Sequence, residues 1–96
     1  MTQGSLYLIL EGGEIHDRTQ LYDTLKTLLG NPEVFGRNLD GLHDVLTDLL
    51  AGNSLTFEVR GFDTLEKELG RYARAFRGML TDLSEDDRRF TVRFSE

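Results

Sequence analysis

The sequence predicts an α/β domain in two layers, a three-stranded parallel sheet with helices packed mainly on one face. Three observations lead there. The segments Leu6–Leu10, Leu55–Val59 and Phe90–Phe94 have the composition or the alternation of strands. Apolar residues at helical spacing fill both intervals between them, and helical crossovers between successive strands favour a parallel sheet. The last two strands carry polar residues at alternate positions (Thr56, Glu58 and Arg60; Thr91 and Arg93), which leaves the helices one face to cover.

The elements follow in order. Leu6–Leu10 is a continuous apolar run ending at Gly12-Gly13, and reads as a strand over 5–11 with little exposure. Thr19 is placed to cap a helix carrying Leu21, Tyr22, Leu25, Leu28 and Leu29, closed by Gly30 before the Asn31-Pro32 loop. A second helix follows Asn38, carries Leu39, Leu42, Val45, Leu46, Leu49 and Leu50, and ends at Gly52-Asn53. The second strand spans 54–60. Asp63 and Glu66 have capping-box spacing ahead of a short third helix with Leu65 and Leu69, ended by Gly70. A fourth helix presents Tyr72, Ala75, Phe76, Met79, Leu80 and Leu83, then Ser84–Arg89 reads as a polar loop before a strand over 89–95.

Composition narrows the function. Ninety-six residues with 39% hydrophobic and 29% charged side chains are expected to form one globular domain over 1–96. No apolar run nears the roughly 20 residues of a membrane span. The absence of cysteine removes disulfides, a thiol nucleophile and a Cys-built zinc site. The balance reads cytoplasmic. Residues 1–59 hold three basic and nine acidic side chains, and residues 60–96 eight of each, so the first part carries the whole net charge of −6. A phosphate backbone is a poor partner for that part, since binding it relies on Lys and Arg; a basic protein surface suits it better.

The second helix is the most informative segment. Asp40, Asp44 and Asp48 are four apart and form a row opposite the Leu42/Leu49 stripe, flanked by His43 and Thr47. Like charges at this spacing destabilise a helix by about 0.2–0.5 kcal/mol per pair. The row is either a solvated face or a surface that meets cations on a partner. Asp40, His43 and Asp44 lack the closing ligands of a metal site, and no cofactor pattern is present; Gly12-Gly13 reads as a turn. With His16 and His43 as the only histidines, and no nucleophile or phosphate-loop motif, catalysis has little support. Arg71, Arg74 and Arg77 share one side of the fourth helix, and the acids that follow make a locally neutralised face the better reading than a phosphate grip. Gly78, inside that helix, permits either close packing or the approach of a partner.

The segment Asn31-Pro32-Glu33-Val34-Phe35-Gly36-Arg37-Asn38-Leu39-Asp40-Gly41-Leu42-His43-Asp44-Val45-Leu46-Thr47 resembles the signature of the barstar family, small intracellular inhibitors of secreted bacterial ribonucleases. The family pattern is Pro-Glu, an aromatic, Gly, a variable residue, Asn-Leu-Asp, a small residue, Leu, a variable residue, Asp, an apolar pair and often Thr. The resemblance implies a barstar-like domain that is no enzyme and needs no cofactor or metal. The second helix and its preceding loop would plug a ribonuclease active site 1:1, their carboxylates taking the place of RNA phosphates. The positions it carries over are Phe35, Gly36, Asn38, Asp40, His43, Asp44 and Thr47, with Asp44 as the dominant carboxylate and Asp82 as a secondary acidic contact. Val34, His43, Leu49 and Gly78 depart from the family's aromatic and acidic periphery, which bears on the identity of the target more than on the mode of binding. The alternative is an acidic interaction module of this fold whose basic partner is not a ribonuclease.

Overall fold

The computed structural model describes residues 4–96. Strand β1 (Gly4–Glu11) leads through a single 3-10 turn (Gly12–Glu14) to α1 (Arg18–Leu28) and α2 (Leu39–Leu50). Strand β2 (Asn53–Arg60) is followed by α3 (Phe62–Leu69) and α4 (Arg71–Asp86), and β3 (Phe90–Phe94) closes the order. The sheet is parallel throughout, in the order β1-β2-β3. Register brings like residues side by side. Leu6, Leu8 and Leu10 stand beside Leu55, Phe57 and Val59, which stand beside Phe90, Val92 and Phe94. This apolar face receives Leu21, Tyr22 and Leu25 of α1, Leu42, Val45, Leu46 and Leu50 of α2, Phe62 and Leu65 of α3, and Ala73, Phe76, Leu80 and Leu83 of α4. The other face carries Tyr7 and Ile9 beside Thr56 and Glu58, which stand beside Thr91 and Arg93.

Local chemistry corrects five expectations. β1 is not a strand of little exposure: it is an edge strand whose outer side chains face no helix, so Tyr7 is 53% exposed and Leu10 alone is fully buried. Asp17, not Thr19, caps α1; its carboxylate accepts from the Gln20 N–H at 2.8 Å, while Thr19 lies inside the first turn. Asp63 is likewise inside α3, which starts on Gly61 with φ 64°. The Gly12-Gly13 turn presses on that glycine, and a Cβ on Gly61 would lie 2.7 Å from the Gly13 nitrogen. The Phe62 N–H then bonds to the Ser95 carbonyl at 3.0 Å, tying the start of α3 to the end of β3.

The fourth helix buries Ala73 rather than Ala75, because Ala73, Phe76, Leu80 and Leu83 follow one stripe and Ala75 falls beside it. It also runs on through Ser84–Asp86, which contain no glycine or proline to stop it. The Ser84 hydroxyl donates to the Thr81 carbonyl at 2.7 Å and fits the helix that way. The helix stops at Asp87, held by Arg89; another nitrogen of Arg89 donates to the Leu50 carbonyl at 2.6 Å, so the turn into β3 is fastened to the end of α2.

Candidate functional site

The predicted site segment becomes a loop, residues 31–38, laid against the start of α2. Asn38 caps that helix: its side-chain oxygen accepts from the Gly41 N–H at 2.7 Å. The loop backbone then lies directly on the first helical turn, and a Cβ on Gly41 would come within 2.1 Å of the Gly36 oxygen. Only glycine at 41 admits this path of the loop, and the Asn38 N–H bonds back to the same Gly36 carbonyl at 2.9 Å. Phe35 is half-buried, its ring centroid 5.9 Å from that of Tyr22. The Tyr22 hydroxyl meets that of Tyr72, and the Arg18 guanidinium lies 3.9 Å above the Tyr72 ring. Burial, followed by the bond to Tyr72, pushes the Tyr22 hydroxyl up, so it stays neutral in this support.

Arg37 completes the clamp. One guanidinium nitrogen donates to the Asp23 carboxylate at 2.6 Å and to the Thr19 carbonyl at 3.2 Å, both on α1. The loop is therefore held from below by Phe35, from the side by Arg37 and at its end by the Asn38 cap. Arg37 is the one basic residue between positions 31 and 50 apart from His43, and Asp23 offsets its charge.

On this support α2 exposes Asp40, His43, Asp44, Thr47 and Asp48 together. Among the described residues no cation lies within ion-pair distance of Asp40, Asp44 or Asp48. The Thr47 hydroxyl donates to the His43 carbonyl at 2.8 Å, which leaves its lone pairs to accept from elsewhere. Asn38 is the converse, with its side-chain oxygen committed to the cap and its amide hydrogens without a partner among the described residues. Asp82 is exposed on α4, a helix that packs against α2, but no hydrogen bond joins it to the acidic row. Of the predicted residues, the structure thus brings Asp40, His43, Asp44 and Thr47 onto one exposed face and puts Gly36 and Asn38 at its rim. Phe35 turns inward as an anchor.

One residue escaped sequence reasoning as part of this surface: Arg37 acts through a partner 14 positions away, with no local signal. Val34, singled out by the resemblance as a departure at the periphery, is 87% exposed beside the anchored Phe35. The other motifs find ordinary partners. Arg74 reaches Glu66 at 3.4 Å, and Arg77 stacks 5.0 and 4.7 Å from the Phe62 and Phe94 rings. His16 bonds to Glu68 at 3.3 Å on the surface. A Cβ on Gly78 would meet nothing within 4 Å, so close packing does not explain that glycine. Among the described residues no group of three His, Asp or Glu side chains is placed to hold a metal ion, and no helix is long and apolar enough to cross a membrane. What this surface offers is negative charge and hydrogen-bond acceptors held on a rigid frame.

Residues 6–95 match the family described as Barstar (barnase inhibitor). The Bacillus subtilis (strain 168) protein named "Putative ribonuclease inhibitor YrdF" is 36% identical over 66 residues, which cover 69% of this chain and 71% of that protein. The family match takes in most of β1, the other two strands, the clamped loop and the acidic helix, and the chain belongs to the Barstar family.

Proposed function

We propose that this protein is a non-catalytic inhibitor of a small secreted ribonuclease, binding the enzyme 1:1 and closing its active site with α2 and the 31–38 loop. The observation that carries the reading is the exposed row Asp40, Asp44 and Asp48. Among the described residues it has no internal cation, on a helix that gains nothing from the repulsion, beside a loop fixed at three points. A ribonuclease cleft is built to hold phosphates and is therefore cationic. Asp44 and Asp40 would meet its Arg, Lys and His groups in place of RNA. Thr47 would accept from the enzyme's N–H groups, and the Asn38 amide would donate at the rim. Asp82 would add a contact from α4. Phe35 and Gly36 hold the loop in shape, and His43 and the exposed Val34 complete the contact surface. Because the loop is already ordered, little conformational entropy is lost on docking. One domain over 1–96 suffices for this, acting in the cytoplasm to protect the producing cell's own RNA.

The test is capture of partners from the host's secreted proteins, followed by RNA cleavage with and without this protein. The expected result is a small basic ribonuclease whose activity falls linearly to zero at one equivalent. A captured basic protein that does not cleave RNA would instead identify the interaction module of another target. Undiminished cleavage at excess inhibitor would overturn the reading.

A further inference from the structure

The 31–38 loop owes little of its shape to its own backbone. Among the described residues its backbone hydrogen bonds lie at its two ends, from the Asn31 N–H to the Lys26 carbonyl at 2.8 Å and from the Asn38 N–H to the Gly36 carbonyl at 2.9 Å. Side chains set the path between them, and one patch of α1 receives two of these. Thr19, Tyr22 and Asp23 stand at i, i+3 and i+4 and share a face of that helix. Tyr22 meets the Phe35 ring, while Thr19 and Asp23 both accept from one nitrogen of Arg37. Arg37 is also the one Lys or Arg between positions 31 and 50. It directly precedes Asn38, at the rim of a face that presents three carboxylates. Left unopposed, its charge would repel the same cations that those carboxylates attract. The Asp23 carboxylate, 2.6 Å away, is what opposes it.

We infer that Asp23, on α1 and outside the acidic row, is a positioning residue for partner binding with two separable effects. It holds Arg37, and through Arg37 the loop, in the shape that docks. It also cancels the charge of Arg37, so that the rim does not repel a cationic partner. This role rests on the inhibitor reading and extends the machinery of that site to α1. The two effects act on different rates. Charge at the rim acts on the encounter, and so on association. A loop that has lost its clamp costs order in the complex, and contacts of that kind show mainly in dissociation. Both side chains of the pair are exposed, and pairs of that kind add little to global stability. The role of Asp23 is therefore local to the loop.

Asp23→Asn, Arg37→Gln and the double variant separate the two effects, with Glu85→Gln as a control that removes the same charge from α4. In the free protein, NMR order parameters of the amides from Val34 to Arg37 should fall in Asp23→Asn from values near those of a rigid backbone, about 0.85, while those of α2 stay as in the parent. Thermal melts of all variants should stay close to the parent. Stopped-flow kinetics with the captured ribonuclease at low salt supply the second readout. Asp23→Asn should slow association, Arg37→Gln should speed it, and the double variant should return near the parent rate. Dissociation should quicken about two- to fivefold in both single variants, and no further in the double, because all three break one bond. Loop order unchanged by Asp23→Asn overturns the assignment. So does association slowed no more than by Glu85→Gln, or a double variant whose dissociation is the product of the single effects. A parent that binds no ribonuclease removes the inhibitor reading and this role together, whereas a bound ribonuclease that dissociates at the parent rate from Asp23→Asn removes this role alone.

Discussion

Asp44 and Asp48 carry the same charge on the same face of α2, yet their surroundings differ. Asp48 is two residues from the end of the helix, where the dipole disfavours a carboxylate, whereas Asp44 sits mid-helix on the turn after Asp40, nearer the clamped loop. If Asp44 docks among enzyme cations, Asp44→Ala leaves those cations buried and unpaired, and such truncations typically cost about 2–5 kcal/mol of binding. The folded state should change by no more than about 0.5 kcal/mol, because an exposed aspartate without a partner makes few native contacts. Asp48→Ala should leave binding nearly intact and stabilise the helix slightly. Calorimetric titration and a thermal melt of each variant decide the matter; a tight Asp44→Ala complex, or a larger loss for Asp48→Ala, sinks the assignment. The acidic row itself was legible because identity and four-residue spacing determine it. The support beneath it was not. Whether Phe35 turns inward depends on Tyr22 and Tyr72, and the role of Arg37 depends on the path by which the loop returns to α1.

At the scale of elements, two glycines give opposite expectations. Gly61 starts α3 in the left-handed region, pressed against the Gly13 backbone, and Gly61→Ala should destabilise the protein by about 1–3 kcal/mol through strain and crowding. Gly78 lies in the exposed interior of α4 with open space at its Cβ, and Gly78→Ala should stabilise it by about 0.5–1 kcal/mol. Urea denaturation of both measures this, and an unchanged or lower stability for Gly78→Ala would refute the second. If that variant gains stability but binds the partner less tightly, the glycine is explained by partner approach. The turn from α4 to β3 has a pH signature. Arg89, through its side chain and then its backbone N–H, holds the Asp87 carboxyl at about 2. A depressed folded-state value contributes stability that is present above the ordinary aspartate range near 4 and lost as pH falls toward 2. The parent should lose stability between about pH 4 and pH 2, Asp87→Asn should flatten that loss, and parallel pH profiles would exclude the link. The order of elements along the chain and all four helices could be read from periodicity, since burial on one face imposes it, and the helical crossovers pointed to the parallel sheet. Caps and ends could not. Thr19 and Asp17 are both good caps by type, and the choice between them follows from where Leu21, Tyr22 and Leu25 must meet the sheet. The start of α3 is set by a glycine packed on a distant turn, and the end of α4 by a bond from Arg89 to α2.

For the whole molecule, the structure shows where the net charge of −6 is felt. Arg60 offsets Glu11 and Glu58, and Arg37 offsets Asp23. On the other side Arg74 and Arg89 meet Glu66 and Asp87, and Arg77 is spread over two aromatic rings. Among the described residues the α2 row has no such offset, so three unopposed carboxylates stand together where the proposed docking face lies. An uneven field of this kind steers a basic partner during diffusion, and salt weakens steering because the Debye length shrinks to about 8 Å at physiological ionic strength. The rate of association with the enzyme should therefore fall steeply as salt rises, while dissociation, governed by contacts already made, changes much less. Charge placement, not net charge alone, should set the slope. Asp40→Asn and Glu85→Gln each remove one negative charge, but only Asp40→Asn removes it from the α2 face, so it should slow association at low salt and flatten the salt dependence. Glu85→Gln should do neither. Stopped-flow measurements on the parent and both variants at several ionic strengths separate the cases: equal effects of the two variants would mean that net charge alone attracts the partner, and a parent rate indifferent to salt would mean that the acidic row takes no part in bringing the two proteins together.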